Sequence, residues 1–273
     1  FLPLNGFEVE VNETGVDWPH TKTCHFCAIA KDPDNITQPC YNEAYLFANA
    51  PKYRDRVVYD KTQPPYPRHY DPKSLSEMMK TIASHGFFIT YNHPTWSRED
   101  AADYMGYEGM DAMELVNYSC QCAGYPDDHR VYDEMLRAGK RLFAVAADDN
   151  HNSAPLGSRA SDSGGGFVMI SAEKLEYRAV TSALARGDFY ASEGPQIHAL
   201  WAEDGRIFVR CSPADRISLV SETRDAGIRY AEGESGITEA DFAIPAGAAW
   251  VRLTVTDVHG DHAYTRAYFT EEF

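Results

Sequence analysis

Gly86-Phe-Phe-Ile-Thr-Tyr-Asn-His-Pro94 is the stretch from which the fold is read. Phe87 to Tyr91 is a short aromatic and β-branched run with no polar alternation, the pattern of a strand covered on both faces. A helix pattern leads into it. Asp71-Pro72 supplies a cap and a first-turn proline, Leu75, Met78, Met79 and Ile82 recur at helical spacing, and Gly86 ends the run. The strand stops at Asn92-His93-Pro94, where two chemically capable side chains follow an apolar segment.

The same alternation continues downstream. Ala112 to Val116 reads as a strand ending at Asn117, and a helix from about Asp127 carries Val131, Met135 and Leu136 and stops at Gly139. Leu142 to Ala146 reads as a strand running into Asp148-Asp149-Asn150-His151. After a Ser- and Gly-rich loop, 158–166, come a strand at Phe167 to Ile170, a helix over 172–186 and a strand at Phe189 to Ala191. Apolar strands alternating with helices predict parallel pairing through helical crossovers. Polar residues gathered where those strands end predict an active-site rim at one edge.

The pattern changes after Gly194-Pro195. Short segments at Ile197 to Trp201, Ile207 to Val209, Ile217 to Val220, Trp250 to Thr256 and Ala263 to Phe269 are divided by Gly and Pro turns. The expected organisation is an α/β domain over 1–194 and a small antiparallel β-sandwich over 195–273.

With 273 residues, the chain has room for one large or two modest domains. Its 44% hydrophobic and 24% charged residues exclude disorder. A net charge of −16 argues against nucleic acid as a general partner, and no apolar run approaches the ~18 residues of a membrane span. Six cysteines are too few for a disulfide scaffold. The pairs Cys24/Cys27 and Cys120/Cys122 leave a structural zinc open, but reduced core thiols are the favoured reading and lean towards the cytoplasm. The Phe1-Leu-Pro-Leu start has neither an initiator Met nor a signal-peptide pattern.

Asp149 and His151 stand two apart, so in an extended segment both face one way and can grip a metal, with Asp148 facing away or standing behind. Pro94 is expected to hold His93 extended at the strand exit, as a further ligand. Glu8 and Glu10 share one face of a strand whose other face carries Phe7, Val9 and Val11, and on their own they read as a half-solvated edge. His25 opens an apolar strand. Glu114, mid-strand, either lines the mouth or pairs with a cation. Asn92 and Arg159 are candidate substrate contacts, Arg159 as a loop cation for an anion. A nucleophile elbow, a phosphate-binding Gly-rich loop and an H-E-x-x-H helix are all missing from the sequence.

Gly6-Phe-Glu8, His25, Asn92-His93-Pro94-Thr-Trp96-Ser97 and Asp148-Asp149-Asn-His151, in this order, resemble motifs of the polymerase-and-histidinol-phosphatase (PHP) metallohydrolases. Gly187-Asp-Phe-Tyr190-Ala-Ser-Glu-Gly194-Pro195, followed by a small β domain, is similar to the end of the phosphoesterase-like branch. The resemblance implies a distorted (β/α)7 barrel holding two or three divalent ions of Zn, Mn or Fe. In it Glu8 is the bridging carboxylate, His25 and His93 are single-metal ligands, and Asp149 and His151 are the closing, catalytic pair. The implied reaction is attack of a metal-bound hydroxide on a small-molecule phosphate ester. The family's opening H-x-H strand and T-D-H-like motif have no counterpart, so the first two βα units, about 60 residues, are expected upstream of Phe1. Two other functions stay open: an amidase or carboxylesterase on the same metal site, and a non-catalytic ligand-binding protein using Trp201, Trp250 or Tyr264. The oligomeric state is left open.

Overall fold

The computed structural model describes residues 1–47 and 49–273. In chain order the elements begin with β1 (Gly6–Asn12), β2 (Thr23–Ala30), α1 (Pro72–Ser84), β3 (Phe87–Asn92), α2 (Ala101–Tyr104) and β4 (Ala112–Asn117). Next come α3 (Tyr118–Cys122), α4 (His129–Arg137), β5 (Phe143–Ala147), β6 (Phe167–Ile170), α5 (Tyr177–Arg186) and β7 (Phe189–Ser192). The remaining strands are β8 (Ile197–Glu203), β9 (Arg206–Ala214), β10 (Arg216–Ser221), β11 (Gly227–Tyr230), β12 (Ile237–Ala243), β13 (Trp250–Thr256), β14 (His262–Thr265) and β15 (Tyr268–Phe269), and a 3-10 turn at Thr270–Glu272 follows. The protein is mixed α/β, and among the described residues no helix is long and apolar enough to cross a membrane.

Two compact units divide the chain, Phe1–Met113 with Ser171–Arg186, and Glu114–Ile170 with Gly187–Phe273. The first is organised on β1, β2 and β3. β1 and β2 form an antiparallel hairpin pairing Glu8 with Cys27 and Glu10 with His25, and β2 pairs antiparallel with β3, His25 opposite Asn92. Side chains alternate faces along a strand. Glu8, Glu10, His25, Cys27, Thr90 and Asn92 therefore share one face, and Val9, Val11, Cys24, Phe26, Ile89 and Tyr91 share the other. The second face is the core: these residues are buried, as are Leu75, Met78, Met79 and Ile82 of α1. Asp71 caps α1 as expected, its side chain accepting from the Ser74 N–H at 2.9 Å. At the far end of β2, Tyr177 of α5 donates its hydroxyl to the Ala30 carbonyl at 2.8 Å and accepts from the Asn5 N–H at 3.0 Å.

The parallel pairing expected of strands that alternate with helices holds for β3 and β4 and fails for β6 and β7, which pair antiparallel although α5 lies between them in the chain. Only β3 and the start of β4 pair in parallel within this unit, Thr90 with Ala112 and Tyr91 with Met113. The cause is connectivity. β1 reaches β2 through residues 13–22, too short for a helical crossover, so the two must run antiparallel. The described sheets do not show a closed (β/α)7 barrel.

In the second unit, the remainder of β4 lies beside β5. Two further sheets follow, β11-β10-β13-β14-β7-β6 with β15 on β13, and β12-β9-β8. They share one core of Ile207, Val209 and Phe242 from the smaller sheet with Ile217, Leu219, Val251, Leu253 and Val255 from the larger. The position 194/195 falls between β7 and β8, inside this unit. An ion pair crosses beneath β13, where Arg252 meets Asp133 of α4 through two bonds of 2.9 Å.

Candidate metal centre

The shared polar face of β1, β2 and β3 brings Glu8, His25 and His93 together. One ligand atom from each lies within 4.8 Å of the others, the one such group of three His, Cys, Asp or Glu side chains among the described residues. His25 Nδ1 is 3.2 Å from Glu8 Oε1, and His93 Nε2 is 3.9 Å from the same oxygen. A four-coordinate site with bonds near 2.1 Å separates its donor atoms by about 3.4 Å. Two imidazoles and one carboxylate at these spacings fit a divalent transition metal or zinc. The two rings are buried, whereas the Glu8 side chain is 38% exposed, so the cluster opens to solvent on the carboxylate side.

Each imidazole is oriented from behind. His25 turns its other nitrogen, Nε2, to Glu10 Oε2 at 3.1 Å, and the second Glu10 oxygen accepts from Asn12 Nδ2 at 2.7 Å. His93 turns Nδ1 to the Ser97 hydroxyl at 3.2 Å, leaving Nε2 towards Glu8. Such partners fix which nitrogen faces a metal. From the sequence Glu10 reads only as part of a half-solvated edge; its place at the site comes from the hairpin register that sets it across from His25. Ser97 reaches His93 because its N–H donates to the His93 carbonyl in a tight turn.

The electrostatics agree. Burial works to raise the Glu8 pKa, but hydrogen bonds and charge from His25 and His93 win and hold it well below the usual carboxylate range. Burial pulls the His25 pKa down, but Glu10 and Glu8 push it up to about 9. In the metal-free chain His25 is therefore an imidazolium bracketed by two carboxylates.

The Asn92-His93-Pro94 exit departs from expectation. His93 is not extended: its φ is +29°, a conformation sparsely used by non-glycine residues and often found where function over-rides backbone preference. Asn92 turns its amide nitrogen to Cys27 Sγ at 3.1 Å and to Glu8 Oε1 at 3.5 Å, and its oxygen accepts from Thr90 Oγ1 at 2.8 Å. It thus supports Glu8 from the sheet.

Behind the core face lies a buried carboxylate. Glu99 accepts from the hydroxyls of Tyr91 at 2.6 Å, Tyr70 at 3.1 Å and Tyr107. Burial raises its pKa to about 7 even though the three tyrosines oppose the shift. A cavity of about 800 Å³ in the same unit is lined by Tyr41, Tyr59, Tyr66, Thr81 and His85, and no candidate ligand lines it.

The remaining candidate residues belong to the second unit. Asp149 has φ +49°, so the segment after β5 is not the extended one that the spacing argument assumed. Its Oδ2 accepts from Asn117 Nδ2 at 3.2 Å, and that amide also donates to Glu114 Oε2 at 2.9 Å. Glu114 is buried and tied to Asn117. His151 points Nδ1 to the Asp149 carbonyl at 2.7 Å, which leaves Nε2 outward on a side chain 62% exposed. Asp162, which no motif singles out, is buried and accepts from the His151 N–H at 2.8 Å. Asp148 is structural: its two oxygens accept from the N–H groups of Gly164, Gly165 and Gly166 at 2.6–2.9 Å. Arg159 is exposed.

All six cysteines are free thiols; Cys24, Cys120 and Cys211 are buried. Of the aromatic residues offered as a binding platform, Trp250 and Tyr264 are each 1% exposed and belong to the core. Trp201 is 37% exposed and stacks on Phe208 at 5.1 Å.

No protein-family model matches the chain, and no curated protein matches it. A solved structure from Bacteroides vulgatus, described as a two-domain protein containing a predicted PHP-like metal-dependent phosphoesterase, aligns over 97% of this chain and 74% of its own. The identity is 12% and the TM-score 0.36, a level at which the likeness carries no functional weight.

Proposed function

We propose that the chain is a metal-dependent hydrolase of the PHP kind, acting on a phosphate ester of a small molecule. Its α/β part is read as a form of that family's (β/α)7 barrel, and residues 195–273 as an appended β-sandwich domain. The observation that carries the proposal is the convergence of Glu8, His25 and His93, with Glu10 and Ser97 behind the two rings. A divalent ion, when bound, supplies Lewis-acid stabilisation of developing negative charge and makes water acidic enough to act near neutral pH.

The chain's own residues do the rest. Glu8 contributes negative charge at the open side of the cluster. Glu10 holds the proton on His25 Nε2, so Nδ1 is the nitrogen offered inward. Ser97 does the same for His93 with the nitrogens exchanged. Buried Asn92 keeps the Glu8 carboxylate near the sheet. In the same reading Asp149 and His151 are further ligands, and Arg159 is a cation for the substrate's phosphate. Zn, Mn and Fe all suit a mixed imidazole and carboxylate set.

The test is a hydrolysis panel of aryl phosphates, aryl esters and aryl amides with Zn²⁺, Mn²⁺ or Fe²⁺ added. Metal-dependent turnover of the phosphates, lost in His93→Ala and in Asp149→Ala, is the expected result. Turnover of esters or amides alone moves the assignment to an amidase or carboxylesterase. Turnover unaffected by either substitution removes the metal site from the chemistry.

A further inference from the structure

The hairpin loop between β1 and β2 carries a tryptophan that the hydrolase reading does not use. Residues 14–20 at its tip are exposed, and Trp18 is 71% exposed. The base of the loop is fixed. The Glu13 N–H donates to the Lys22 carbonyl at 2.9 Å, and Lys22 Nζ meets Asp103 at 2.7 Å and Asp100 at 2.8 Å. Trp18 does not stand alone at the surface: its ring lies 6.1 Å from that of Trp96, tilted by 45°. Trp96 is half-buried and lies 5.4 Å from the His25 ring and 5.1 Å from the His93 ring. A continuous line of rings therefore runs from solvent, through two indoles, to both imidazoles of the candidate centre.

We propose that Trp18 and Trp96 form a stacking wall that binds the planar aromatic group of the substrate, with the hydrolysable ester at the Glu8, His25 and His93 end. The inference rests on the hydrolase reading for the identity of the ester, and on the ring geometry alone for the aromatic group. Trp96 is anchored by its contact with the two histidines and sets the inner limit of the wall. Trp18 supplies a second indole whose surface is mostly open, and an aromatic ligand would cover apolar area now in water. Two rings at 45° do not enclose a compact cation, which is held best by aromatic faces on several sides. A flat ring needs only one open face. In the reaction, the oxygen of water joins phosphorus, the bond from phosphorus to the ester oxygen breaks, and a proton of that water ends on the departing alcohol that carries the aromatic group.

The test separates this proposal from the reading it rests on. The first arm measures quenching of tryptophan fluorescence by 2-naphthol in the metal-free protein, which needs neither ion nor turnover. Trp18→Ala is expected to weaken 2-naphthol binding about five- to tenfold, the scale of one lost aromatic pair, and Trp18→Phe to recover most of it. The second arm compares kcat/KM for 2-naphthyl phosphate, adenosine monophosphate and butyl phosphate with Mn²⁺ added. Trp18→Ala should lower the aromatic-to-butyl ratio by a similar factor. The member of the aromatic pair with the larger fall tells an aryl group from a nucleobase. Equal loss on all three esters, or equal naphthol binding in wild type and Trp18→Ala, overturns the stacking wall. If naphthol binding depends on Trp18 while no ester is turned over, the wall stands and the hydrolase reading fails.

Discussion

Glu10→Gln perturbs the candidate centre while keeping its shape. Glu10 Oε2 lies 3.1 Å from His25 Nε2, on a side chain 20% exposed. A carboxylate accepting from an imidazole is a charge-assisted bond worth about 1.5–3 kcal/mol, whereas a neutral amide acceptor is worth about 0.5–1.5 kcal/mol. The substitution therefore removes about 1–2 kcal/mol from the hold on His25, or about 5- to 30-fold in the dissociation constant of a metal. That overlaps the ten- to hundredfold typical of residues standing behind a metal ligand. The measurement is competition for Zn²⁺ against a chromogenic chelator. It is best made near pH 9, because burial lowers the His25 pKa less than Glu10 and Glu8 raise it, and the net value is about 9. Below that pH the incoming ion must displace a proton, so wild-type affinity should weaken about tenfold per unit as pH falls. Glutamine at position 10 relieves part of that competition, and the gap between variant and wild type should narrow towards neutral pH. An unchanged dissociation constant near pH 9, with an unchanged circular dichroism spectrum, would refute the claim that Glu10 orients His25.

Stability offers two further tests. Burial lifts the Glu99 pKa from 4.5 to about 7, so the protonated acid suits the fold and the contribution is fully present below about pH 4.5. It is lost as pH rises through 7, about 3 kcal/mol in all. Urea denaturation at pH 5 and pH 8 should show a larger fall in wild type than in Glu99→Gln, where the raised pKa values of Glu193 and His25 still make stability decline; equal falls in both proteins would remove Glu99 as a contributor. Asp133→Ala should cost about 3–5 kcal/mol, because Arg252, with a side chain 5% exposed, keeps its charge without its bidentate partner. A change in the denaturation midpoint worth under 1 kcal/mol would show that water reaches Arg252.

Much of the α/β part is legible because its signals are local. The Asp71 cap, the Gly86 stop and the apolar run from Phe87 locate α1 and β3, and they fall where expected. Strand direction is not local. Whether β1, β2 and β3 run parallel depends on the course the connections take, not on the elements they contain: β2 and β3 pair antiparallel although α1 lies between them in the chain. β11 and β12 escape notice because they carry exposed polar residues such as Arg229 and Glu239, and lack the clear alternation of β13. At the site, residue type and position at a strand end point to His93, and the resemblance to PHP motifs adds Glu8 and His25. Their partners Glu10 and Ser97 follow only from register and from the turn at positive φ, neither of which residue spacing encodes.

The most direct test of the central claim is anomalous diffraction at the zinc edge from crystals of this chain grown with Zn²⁺. A peak bonded to Glu8, to His25 through Nδ1 and to His93 through Nε2, with Glu10 still on His25 Nε2, is the result expected. Density for zinc only at other residues, with Glu8 still paired to an uncoordinated His25, would contradict it.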